Sequence, residues 1–161
     1  MYNVLDVCRY IINYSNYKNY GISNLKLQKI LYFVQAYFLI NNKSHKACFK
    51  EKIEAWNFGP VVSEAYHEYK QYGSGDIPTV KFYTEFNISD PWSLKRVPFD
   101  DTVISDEDKE MINKVVDKFS KYSATDLVAL THKQLPWIES YVPHMNNIIT
   151  NESIKEYFNA K

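Results

Sequence analysis

The chain has 161 residues, with 19 Lys plus Arg against 19 Asp plus Glu. That length fits one domain, residues 1–161, around a single core. Zero net charge is the wrong balance for a general nucleic-acid binder, which needs a basic surface to displace counterions. No apolar run approaches membrane-spanning length, and Asp6 and Arg9 interrupt the apolar residues that a secretory leader would need. Cys8 and Cys48 lack a metal-type spacing, so the expectation is a cytoplasmic protein with free thiols, Cys8 buried and Cys48 in a polar loop. The 14 tyrosines are a surplus that suits either an interface or a core.

Val4, Val7, Cys8, Ile11 and Ile12 recur with helical period and predict a first helix near residues 2–15. Ser23 is a good N-cap for a second helix reaching about Ile40, with Leu27, Ile30, Leu31, Val34 and Phe38 as its buried stripe and Lys26 and Lys29 at wet positions. Lys52 to Phe58 alternates as a short strand, which places Glu54, Trp56 and Phe58 on one face. Gly59-Pro60 should stop it, with Pro60 suited to the first turn of a third helix over 61–72 that Gly73 ends. Thr79 to Phe86 is β-forming and is expected to pair with the first strand, whereas residues 87–101 read as loop with a short strand at Arg96-Val97. Ser105 to Asp108 caps a helix over 106–121, and Ser123 with Asp126 caps another near 124–133. Ile148 suits a strand or turn, and 152–158 a final helix. The expected fold class is mainly α, of the α+β kind: about six helices with a small antiparallel β element.

Catalytic patterns are weak. Four glycines form neither a Walker pattern nor Gly-x-Gly-x-x-Gly, so a nucleotide site is not expected. Among His45, His67, His132 and His144 there is no i,i+4 metal pair with a third ligand nearby. Glu64 and His67 share a helix face, but a carboxylate-bridged metal site would need acids from other helices, and only Glu107 and Glu110 offer themselves. A solvated face is the favoured reading, with no metal and no cofactor. Thr131-His132 before Pro136-Trp137 could hold a general base, yet no nucleophile elbow accompanies it. Bonds from His132 or Thr131 to helix-terminal carbonyls, with Trp137 at a core edge, are the favoured reading, and no catalytic residue is assigned.

Three blocks of sequence occur in order. The first is Leu25-Lys26-Leu27-Gln28-Lys29-Ile30-Leu31-Tyr32-Phe33 with Gln35. The second joins Phe49, Glu51, Ile53 and Ala55-Trp56 to Phe58-Gly59-Pro60-Val61-Val62, Tyr66, Tyr69 and Gly73. The third is Leu130-Thr131-His132 with Pro136-Trp137. Together they resemble the Panacea domain, the SocA-like antitoxin family that also occurs in phage-associated proteins of the GepA type. The resemblance implies a mostly helical, non-enzymatic domain that neutralises a protein toxin by direct binding, or delivers it to a protease as an adaptor. Leu27, Gln28, Leu31, Gln35, Trp56, Gly59, Pro60, Thr131, His132, Pro136 and Trp137 carry the family pattern as structural residues. Lys26, Lys29, Trp56, Phe58, Tyr66 and Tyr69 are the candidate partner contacts, and homodimerisation is open. Two alternatives stand beside this reading: a phage-encoded inhibitor of a host defence nuclease of the CRISPR type, and a hydrolase or metal enzyme using His132 or Glu64 with His67.

Overall fold

A computed structural model describes residues 1–160. Seven α-helices and two small antiparallel sheets form an α+β fold. At its centre lies α2 (Asn24–Asn41), capped by Ser23, whose side chain accepts from the Lys26 amide. The sequence marks one apolar stripe on this helix, but it is buried almost all round, because α1 (Val4–Tyr17), α4 (Asp106–Lys118), α5 (Ala124–Thr131) and α7 (Asn151–Asn159) all pack on it. Tyr32, Leu27, Leu31, Val34 and Phe38 are each no more than 1% exposed. Among the described residues, no helix is long and apolar enough to cross a membrane.

Such burial forces the polar side chains of α2 to find partners inside the protein. Gln35 meets that need completely. Its Oε1 accepts from the amides of Cys48 (2.9 Å) and Phe49 (3.2 Å), and its Nε2 donates to the Phe49 carbonyl at 3.0 Å. This bracket turns the 46–50 segment inward, so Cys48, expected in a polar loop, is buried at 1% exposure. Burial pushes both thiols well above their ordinary pKa.

Between α1 and α4 the tyrosine surplus has a visible use. Tyr10 donates to Asn113 at 2.8 Å, Tyr14 and Tyr20 both donate to Asp117 (2.9 and 2.8 Å to Oδ1), and Tyr2 bonds the Asp108 carboxylate. The rings pack on apolar surface while the hydroxyls reach the polar edge of α4, a division of labour that Phe could not supply.

The first sheet has three strands, all antiparallel. Strand β1 (Ile53–Trp56) pairs with β2 (Gly59–Val61) and with β5 (Ile148–Ile149). Pro60 was expected to open a helix but lies inside β2, and α3 (Ser63–Tyr69) begins three residues later. The second correction concerns 79–98. Strand β3 (Phe82–Asn87) pairs not with β1 but with β4 (Asp90–Pro98), a nine-residue strand that contains the expected Arg96-Val97 strand and extends it through residues read as loop. The third is α6 (Leu135–Ser140), a short helix that Pro136 opens rather than a stop after α5.

Replacing Gln35 by Met keeps the shape and removes every bond of the bracket. It leaves buried amides and a carbonyl on the 46–50 segment unpaired, at about 1–3 kcal/mol each. The expected outcome in denaturant titration is a loss of at least ~3 kcal/mol of stability, against a change within about 0.5 kcal/mol for an exposed control such as Glu107→Gln.

Candidate functional site

Strands β1 and β2 are joined by only Asn57 and Phe58, with Trp56 opposite Gly59. This tip is held from two sides. Beneath it, the Lys29 ammonium nitrogen donates to the Pro60 carbonyl at 2.9 Å, and Gln28 Oε1 accepts from the Val62 amide at 3.0 Å. Gln28 is itself fixed by Asn24, which in turn donates to the Tyr66 carbonyl at 3.0 Å. Gly59 rests directly on this floor with φ +107°, and a Cβ there would stand 2.8 Å from both Lys29 Cε and Thr131 Oγ1. Glycine is required here on two grounds, conformation and space.

From the other side, α5 and α6 contribute three bonds. His132 Nε2 lies 3.0 Å from the Asn57 carbonyl, Trp137 Nε1 donates to the Trp56 carbonyl at 2.8 Å, and the Tyr141 hydroxyl reaches Asn57 Oδ1 at 3.1 Å. A carbonyl only accepts, so His132 carries its proton on Nε2. The three rings stack in sequence, with His132 and Trp137 centroids 4.1 Å apart and Trp137 and Tyr141 4.6 Å apart. On the opposite flank Trp56 meets Tyr66 edge-on at 5.0 Å, and Tyr66 meets His67 at 5.4 Å. The result is an aromatic rim around a fixed turn, from which Phe58 projects at 61% exposure.

The candidate partner residues divide sharply. Phe58 is exposed, and Trp56 and Tyr66 are half-buried on the rim. Lys29, expected at a wet position, is 0% exposed, and Tyr69 is 5% exposed; neither reaches the surface. Lys26 is half-buried with its ammonium on the Ser120 carbonyl at 3.2 Å. Burial lowers its pKa, an effect the charges of Asp126 and Asp76 oppose. Among the described residues no carboxylate offsets the burial of Lys29, which pushes its pKa down to about 7.

The arrangement offers little to a reaction. Thr131 spends its hydroxyl on the carbonyls of Leu127 and Val128 within its own helix, while His132 is committed to Asn57. Among the described residues no group of three or more His, Cys, Asp or Glu could hold a metal ion, so Glu64 and His67 stand as surface residues of α3. Sequence reasoning found His132 and Trp137 as a pair but missed Tyr141 and the ring contact of His67. The available signal was spacing: Trp137 and Tyr141 are four apart at a helix end, where side chains stack.

Fold and site together define a small helical domain that presents a rigid aromatic turn instead of a pocket of converging reactive groups. The model of the family described as antitoxin SocA-like, Panacea domain, matches residues 27–138, and the chain belongs to that family. Among the curated proteins and the solved structures, none matches. The matched segment contains Lys29, the hairpin tip, His132 and Trp137, whereas Asn24 and Tyr141 lie outside it.

Two outcomes follow. Gly59→Ala is expected to cost about 2 kcal/mol or more, from backbone strain and the contact with Lys29 and Thr131, read as a lowered denaturant midpoint. Lys29 should make stability depend on pH. Below about 7 it is charged in the folded and unfolded chain, and the burial penalty is full. Between about 7 and its ordinary value of 10.5 only the unfolded chain stays protonated, so stability rises with pH. The difference in Tm between wild type and Lys29→Met should therefore shift in favour of wild type between pH 7 and pH 9, as differential scanning calorimetry would record.

Proposed function

We propose that this chain neutralises a protein toxin by direct contact, and that the Trp56–Gly59 tip is the contact. The family supports an antitoxin-type role in general. The observation that carries the finer reading is Phe58: a large apolar side chain 61% exposed on a turn that bonds from two sides hold still. Holding it outward on a fixed backbone lowers the ordering cost of binding. Trp56, Tyr66 and Tyr141 around it are the residue types that concentrate interface energy.

Occlusion of the toxin and delivery to a protease differ in one respect. Occlusion restores growth in a host lacking the housekeeping proteases, and delivery does not. The built tip favours occlusion, because a preformed rigid surface suits a lasting complex.

Co-expression with each small toxic gene found to neighbour this one tests the reading. Phe58→Asp should abolish growth rescue and weaken the complex by at least about 2 kcal/mol, or ~30-fold in Kd. The Tm should be unchanged, because the side chain makes no core contact. Full rescue by Phe58→Asp would move the contact elsewhere.

A further inference from the structure

The β3–β4 hairpin forms a sheet of its own, and its base is bolted to α1. Asn13 exchanges two bonds with Val80 (2.9 and 2.7 Å), and the Arg9 guanidinium lies 3.6 Å over the Tyr83 ring. Beyond that base the hairpin is bare. Phe86 and Leu94 face each other across the ladder at 78% and 61% exposure, Phe82 is 46% exposed on the same face, and Trp92 near the tip is 95% exposed. A two-stranded hairpin is marginal in water, and one with an uncovered apolar face needs further strands or a partner.

The two edges are not equivalent. β4 carries Pro91 and Pro98, which lack amide hydrogens, and the adjacent Lys95 and Arg96, both of which discourage pairing. β3, by contrast, has no proline and one charge, Glu85. Among the described residues, no backbone amide of Phe82–Asn87 bonds main chain outside the hairpin.

We propose that two copies of this chain join through their β3 edges, antiparallel about a two-fold axis at Thr84, to make a four-stranded sheet. The sequence of β3 complements itself in that register. Phe82 stands opposite Phe86 of the second copy, twice over; Tyr83 stands opposite Glu85; and Thr84 meets Thr84 on the axis. Aromatic and Thr–Thr cross-strand pairs are favourable, and no like charges meet. Centring on Glu85 would oppose two carboxylates. Centring on Tyr83 would draw in Val80 and Lys81, whose backbone groups are already bonded to Asn13 and Phe99. Centring on Phe86 would run the ladder through the register shift at Phe86/Asn87, so charge, free backbone and regular geometry together select Thr84. This inference is independent of the toxin reading and uses a different surface.

The test needs only the purified full chain. Sedimentation velocity should give twice the 19.0 kDa monomer mass in the micromolar range, and Thr84→Arg should return the monomer with its circular dichroism spectrum retained and its Tm no longer dependent on protein concentration. In Thr84→Cys the two thiols would sit on the axis, where opposed Cα atoms are close enough for a disulfide. Mild oxidation should then yield covalent dimer at least ~10-fold faster than from Lys95→Cys, because pairing raises the effective thiol concentration. The native cysteines add no background, being 0% and 1% exposed. A monomer throughout that range, a dimer indifferent to Thr84→Arg, or equal cross-linking of the two cysteine variants would each overturn the proposal. So would a monomeric chain whose hairpin cross-links only to a toxin.

Discussion

Gln28, Lys29 and Gln35 put two amides and an amine inside a helix that is covered on nearly every side. Each must be paired where it stands, because an unpaired buried polar group costs several times what its bond contributes. That constraint converts α2 from a core filler into a template. Gln35 fixes where the 46–50 segment crosses, Gln28 fixes where β2 leaves its sheet, and Lys29 fixes the carbonyl beneath the tip. A purely apolar α2 would bury as well, but it would leave the loops around it free to slide. The polar pairs specify position, and the apolar surface supplies the driving force.

The tip inherits its rigidity from this arrangement. Gly59 can lie on Lys29 and Thr131 only because it has no Cβ, and the close approach brings the turn within reach of His132, Trp137 and Tyr141. Residues from α2 and from the ends of α5 and α6 thus converge on three carbonyls, those of Trp56, Asn57 and Pro60, and on the Asn57 side chain. A surface built this way has little conformational freedom left to lose, which lowers the ordering cost of any binding there.

Helices with caps and clean periodicity were legible in the sequence. Ser23, Ser105 and Ser123 each accept the bond that their position suggests. The burial of Lys29 was not legible, since a lysine beside a glutamine on a helix normally marks a wet face. Only the arrival of β2 above it, brought by Gly59-Pro60, seals it from water. Pro60 misled for a related reason: it is tolerated in a three-residue strand at the sheet edge, where a missing amide hydrogen costs little. Strand β4 escaped because Pro91, Pro98 and charged residues interrupt its pattern, and those same features protect its outer edge. Strand alternation placed Phe58 beside Trp56 with core packing the favoured role, but the strand ends at Trp56 and Phe58 stands exposed in the turn. Tyr69, another candidate contact, is turned inward by α3.

Amide hydrogen exchange of the toxin complex against the free chain tests the central claim most directly. If the tip is the contact, Asn57 to Gly59 should slow markedly on binding, with smaller effects at the ends of α5 and α6 that grip it. Unchanged exchange at Asn57 to Gly59, with protection appearing on another surface, would contradict the account.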